Sequence, residues 1–146
     1  MNSIGDSYAP LLLAATPLVL PMPESRVHAG FPSPAEDFAV NRLDLTAILV
    51  RHPQATFVLR VAGASMRDMG IDDGDLLVVD RALRAVHGQN VVAVVDGEFT
   101  VKQLHQRAGK MKLKAANPTF PDIVPKDGQT VEIWGVVTSS IKRFVF

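Results

Sequence analysis

Two side chains in this chain combine a reactive type with a suggestive setting. Ser65 lies in the loop Gly63-Ala64-Ser65-Met66, directly after the apolar run Phe57-Val58-Leu59-Arg60-Val61-Ala62. Lys102 lies within Glu98-Phe99-Thr100-Val101-Lys102-Gln103-Leu104, a strand-like run that follows the turn residues Asp96-Gly97. A lysine set among apolar neighbours loses hydration of its ammonium, so its pKa falls and the neutral amine can act as a base. A serine hydroxyl on a glycine-containing loop is a group that such a base can activate. Upstream, Val27-His28-Ala29-Gly30-Phe31-Pro32 offers a peptide for the pair to cut, with small residues where backbone must approach a nucleophile. On residue types alone the pairing stays open. A Gly-x-Ser is commonly a turn, and a strand lysine commonly guards a sheet edge.

The elements that must position these groups are mostly strands. Thr56–Ala62, Asp75–Asp80, Asn90–Val95, Glu98–Leu104, Met111–Ala116 and Val131–Thr138 are short and rich in Val, Leu or Ile. Asp72-Asp73-Gly74, His87-Gly88, Asp96-Gly97, Ala108-Gly109 and Asp127-Gly128 separate them. Asp96-Gly97 between two alternating runs predicts a tight hairpin. Ile141–Phe146 reads as one more edge strand. Ahead of the strands, Asp37–Val50 reads as helical, with Phe38, Leu45, Ile48 and Leu49 apolar, Asp44 as N-cap of its second part and Pro53 as the stop. The expected fold is mostly β: a curled antiparallel domain with a short helical lead-in and an extended N-terminal arm.

The totals narrow the function classes. A chain of 146 residues that is 47% hydrophobic and 21% charged fits one folded domain. Without cysteine there is no disulfide framework and no thiolate metal site. Fifteen basic and fifteen acidic residues cancel, so the totals reveal no basic surface, and any DNA contact is expected through a partner. His28, His52, His87 and His105 lack ligand-like spacing, and no metal or cofactor is expected. Asp72, Asp73 and Asp75 around Gly74 read as a solvated turn, since no bidentate carboxylate follows at calcium-loop spacing. Lys110, Lys112 and Lys114 alternate on one strand face, a charged edge or a contact for DNA or a protein partner.

The N-terminal residues mimic an export signal in part. Leu11–Leu20 is apolar and Val27-His28-Ala29 has the small-residue pattern of a signal-peptidase site. Asp6, the lack of Lys or Arg ahead of the apolar run, and Pro10, Pro17, Pro21 and Pro23 argue against a helical signal, as do Glu24 and Arg26. The run falls short of the roughly 20 apolar residues of a membrane span. A mobile, extended arm in a cytoplasmic protein is the expectation.

Taken in order, Gly30-Phe31-Pro32-Ser33-Pro34-Ala35, Gly63-x-Ser65-Met66, Asp73-Gly74-Asp75-Leu76 and Asp96-Gly97-Glu98-Phe99-Thr100-Val101-Lys102 resemble the LexA/UmuD-type family of self-cleaving Ser–Lys peptidases. With no helix-turn-helix visible, the likeness is to the UmuD branch, the regulatory subunits of error-prone SOS polymerases. The resemblance implies Ser65 as nucleophile and Lys102 as general base, cutting Ala29-Gly30 to separate an arm, residues 1–29, from a peptidase-like body, residues 30–146. It also implies a homodimer, stimulation by the RecA–single-stranded-DNA filament, and a shortened product that joins a Y-family, UmuC-like polymerase. The backbone N–H groups of Ser65 and Met66 are the candidates for oxyanion stabilisation. The family's serine loop often reads Gly-Asp-Ser-Met, and Ala64 departs from it at a position that affects only a local loop hydrogen bond. Two other readings stand beside this one: an SOS-type regulator controlled by self-cleavage without a polymerase, and an exported β domain cut by signal peptidase.

Overall fold

β-branched and leucine-rich runs dominate the body, and each finds an antiparallel partner. The computed structural model describes residues 10–12, 16–23, 26–30 and 40–146. Its strands are β1 (Leu11–Leu12), β2 (Val19–Pro23), β3 (Val40–Asp44), β4 (Thr56–Arg60), β5 (Leu76–Asp80), β6 (Asn90–Val95), β7 (Glu98–Arg107), β8 (Lys110–Lys114) and β9 (Val131–Ile141). Seven of them form one sheet in the order β1-β4-β5-β9-β6-β7-β8, and β2 pairs with β3 separately. The expected mostly-β antiparallel architecture is the one observed.

The β6–β7 hairpin turns where the residue types require. Asp96 and Gly97 have φ of 50° and 83°, both left-handed, the pattern of a type I′ turn matched to strand twist. β9 runs between β5 and β6, and register shifts at Val78/Val79 and at Val92/Ala93 curl the sheet around it. Gly135 of β9 is required by this close approach. A Cβ there would stand 2.6 Å from Val79 Cγ1, and Val79 is fully buried. Gly135→Ala is expected to cost about 1–3 kcal/mol by overpacking, read as a lowered thermal midpoint; an unchanged midpoint would show that β9 has room to shift.

One core cluster joins Leu59, Val61, Met66, Ile71, Leu77, Val79 and Val92, and a second joins Val91, Ala93, Leu104 and Leu113. Alternate residues of β6 thus feed opposite faces of the sheet, Val92 one and Val91 with Ala93 the other.

The lead-in differs from the sequence reading. Residues 37–39 lie outside the described residues, Val40–Asp44 is a strand, and the helix α1 spans only Leu45–Leu49. Residues 40–44 find backbone partners in Val19–Pro23, a non-local pairing that overrides a weak helical pattern. Asp44 does cap α1, its carboxylate accepting from Thr46 N–H at 3.1 Å and also from Leu18 N–H at 3.0 Å. The described strands of the arm are extended, as expected, and paired: Leu11 and Leu12 with Val58 and Phe57, and β2 with β3. Ile141–Phe146 is not a separate edge strand. Ile141 ends β9, and Lys142 turns aside to ion-pair with Asp72 and Asp75 at 2.7 and 2.8 Å.

Candidate active site

The serine loop is pinned from three sides. Met66 is 2% exposed in the larger core cluster, an anchor worth about 2 kcal/mol that fixes the residue beside Ser65. Asp73 Oδ1 accepts from Gly63 N–H at 2.8 Å, where Gly63 adopts φ of 95°. Asn117, itself buried, donates from Nδ2 to Ala64 O at 2.8 Å, and Ala116 N–H donates to Ser65 O at 2.7 Å. Where the family's loop often carries its own aspartate, this loop is tied from outside by Asp73 and Asn117. Neither role was legible in the sequence: Asp73 stood in the Asp73-Gly74-Asp75-Leu76 motif but read as part of a solvated turn, and Asn117 carried no motif. That turn also holds Asp75, which is buried. Burial alone would raise the Asp75 pKa, but the N–H of Asp72, Lys142 and Ser140 outweigh it and hold the carboxyl below its usual range.

β7 brings Lys102 to this loop. Its Nζ lies 3.1 Å from Ser65 Oγ, although 37 positions separate the two residues. Nζ also donates to Thr100 Oγ1 at 2.8 Å and to Val101 O at 3.1 Å. Thr100 precedes Lys102 by two positions and shares its strand face, a periodicity that could have flagged it. Lys102 is 8% exposed, and this burial pulls its pKa below the ordinary lysine range. Among the described residues no carboxylate pairs with it, so no countercharge restores the charged form.

Geometry and charge here suit proton transfer. If the amine is neutral, two N–H bonds to Thr100 and Val101 leave its lone pair aimed at the Ser65 hydroxyl. Among the described residues, the N–H groups of Ser65 and Met66 donate to no other protein group. The pair opens into a cleft of about 720 Å³ walled by Leu59, Val92, Phe99, Phe120 and the loop backbone. Phe99 packs edge-on against Trp134, with ring centroids 5.5 Å apart, which steadies that wall. Ala29 and Gly30 are exposed and do not line the cleft, so the structure joins Ser65 to Lys102 and leaves the Ala29-Gly30 bond outside.

Comparison with known proteins agrees with the motifs. Residues 21–138 match the Peptidase S24-like family. Protein MucA of Salmonella typhimurium is 50% identical over 123 residues, covering 84% of each chain. Protein ImpA of Shigella flexneri is 45% identical over 126 residues, covering 86% of this chain and 85% of its own. The LexA repressor of Syntrophotalea carbinolica is 49% identical over 88 residues, 60% of this chain and 44% of the repressor. With its antiparallel β body and a match spanning most of its length, this chain belongs to the S24-like peptidase family, the family of UmuD-type and LexA-type proteins.

Proposed function

We propose that this protein cuts its own Ala29-Gly30 bond, with Ser65 as nucleophile and Lys102 as general base, and that the shortened product serves an error-prone polymerase in the SOS response. The observation that carries the reading is the 3.1 Å approach of a buried lysine, with no carboxylate partner among the described residues, to a serine held at the mouth of a cleft. Ser65 Oγ attacks the Ala29 carbonyl carbon while the Lys102 amine takes the hydroxyl proton. The N–H groups of Ser65 and Met66 receive the oxyanion. Collapse breaks the C–N bond, Lys102 returns the proton to the Gly30 amine, and water then frees the acyl group from Ser65.

For this to occur the exposed Ala29-Gly30 segment must enter the cleft, which makes arm seating the step a RecA–single-stranded-DNA filament accelerates. Loss of residues 1–29 also removes β1 from β4 and β2 from β3, opening two strand edges to a polymerase or to a second protomer. Among the described residues no helix is long and apolar enough to cross a membrane, and the proposed site of action is the cytoplasm. The direct test is N-terminal mass analysis of purified protein incubated with and without an activated filament. A fragment beginning at Gly30, formed faster with the filament, is expected; co-purification of that fragment with a Y-family polymerase tests the partnership.

The scissile glycine supplies a second check. In the resting arrangement a Cβ on Gly30 would meet nothing within 4 Å. Gly30→Glu therefore leaves the fold and its melting midpoint unchanged, but adds bulk and charge where backbone must slide past Ser65. Cleavage is expected to fall by at least about a hundredfold, consistent with the cost of a small misplacement of reacting atoms. Normal processing of Gly30→Glu would place the cut elsewhere.

A further inference from the structure

A neutral chain can still concentrate its charge, and the end of the sheet does so. β7 and β8 pair Arg107 with Lys110, His105 with Lys112, and Gln103 with Lys114, so these side chains share one face. The intervening Leu104 and Leu113 point the other way, into the second core cluster. His87 joins the face from the loop before β6, its ring 4.9 Å from that of His105 and its Nε2 3.4 Å from Arg107 Nη2. Arg107 and Lys110 are exposed, and Lys112 and Lys114 are half-buried. Among the described residues, the carboxylate recorded against this face is Asp122, 3.9 Å from Lys112 Nζ. Partial burial and the charges of Lys112, Lys114 and Arg107, with His87 alongside, pull the His105 imidazole below its usual range.

This face carries more positive charge than edge protection needs. Arg107 and Lys110 stand directly opposite each other, a like-charge pair that weakens the ladder. The middle of β8 is in any case covered by the Leu113–Ile123 bridge. We infer that the outer face of the β7–β8 hairpin binds the phosphate backbone of single-stranded nucleic acid without reading its sequence.

Geometry selects this occupant. Five residues of each strand make a stripe about 17 Å long, with like positions about 6.8 Å apart along a strand and the two rows about 4.8 Å apart. Two rows so close straddle one phosphate chain. They cannot reach both backbones across a major groove about 12 Å wide. Among the described residues no Trp, Tyr, Phe or Leu lies on this face to anchor a protein partner, and protein hot spots depend on such anchors. Flexible lysines with one arginine supply point charges for a backbone that varies in conformation. The inference is independent of the self-cleavage reading.

The test is fluorescence anisotropy of a labelled 20-residue oligothymidylate titrated with the full chain. At low salt the wild type is expected to bind, with log affinity falling against log salt at a slope of about −2 to −3, for three to four neutralised phosphates. Lys110→Glu/Lys112→Glu/Lys114→Glu should weaken binding at least tenfold. Arg26→Glu/Arg51→Glu/Lys126→Glu, which changes net charge equally at exposed positions elsewhere, should change it less than threefold. If the first triple variant melts early, Lys110→Gln/Lys112→Gln/Lys114→Gln takes its place with the same direction expected. Absence of binding at low salt, equal losses in the two triple variants, or tighter binding to a duplex of the same length would overturn the inference. Tighter binding to a 20-residue polyglutamate would also overturn it and assign the face to an acidic protein.

Discussion

Ser65→Ala is expected to abolish formation of the Gly30 fragment, by at least about a thousandfold, with the fold intact. The size follows from the role: without the hydroxyl there is no acyl intermediate, and a cleft that still seats the arm retains only positioning and oxyanion contacts. The fold survives because the loop is held through backbone and neighbours. Met66 remains in the core, Ala116 N–H still meets the residue-65 carbonyl, and Asn117 still holds Ala64 O. Lys102 loses one of three acceptors but keeps Thr100 Oγ1 and Val101 O, so the melting midpoint should move by only a few degrees. The same experiment separates self-cleavage from export. A cut that persists in purified Ser65→Ala protein would remove the nucleophile assignment; signal peptidase does not use Ser65, so a cut made only in expressing cells would favour the exported reading.

The residues around this serine show what a linear chain makes legible. Hairpin β6–β7 could be placed to the residue because Asp96-Gly97 must take left-handed backbone and the flanking runs alternate. The meeting of Ser65 with Lys102 was legible only through an ordered set of motifs, since nothing local dictates contact between residues 37 positions apart. Thr100 was within reach of strand periodicity. Asn117 was not, and Asp73 was visible as a motif residue but not as the acceptor for Gly63, because their value lies in which backbone groups they reach across the fold, a tertiary property. The strand at Val40–Asp44 was misread for the same reason: its partner is the arm, more than 15 residues away, and intrinsic propensity in that segment is weak. The basic face of β7–β8 was half legible. Lys110, Lys112 and Lys114 alternate visibly, but Arg107, His105 and His87 join them only through register and a loop.

The second large effect is expected at Lys102. An exposed lysine titrates near about 10.4, leaving well under 1% neutral amine at pH 7. In this structure burial lowers that value, and among the described residues no carboxylate opposes the shift. Below the folded-state pKa the amine is protonated and cannot accept the Ser65 proton. Cleavage without the filament is therefore expected to be slow near neutrality, to rise about tenfold per pH unit, and to level off above the folded-state pKa. Because the shift is downward, the plateau should begin below the pH at which an exposed lysine titrates. Seating the arm over the cleft would dry Nζ further and lower its pKa again, so the filament should move the profile toward neutral pH as well as raise the rate. Lys102→Arg should be inactive throughout, at least about a thousandfold down, since a guanidinium stays protonated at any usable pH. Lys102→Ala should also lose cleavage. Its midpoint should hold or rise, because removing a buried ammonium that has no countercharge among the described residues relieves a desolvation cost, whereas its departure leaves Thr100 Oγ1 with only a neutral hydrogen bond to replace. The measurement is the initial rate of Gly30-fragment formation across roughly pH 6 to 10, the span from neutral water to the ordinary lysine range. A flat profile, or appreciable cleavage by Lys102→Arg, would take the proton-accepting role away from this lysine and leave the 3.1 Å contact as a structural hydrogen bond.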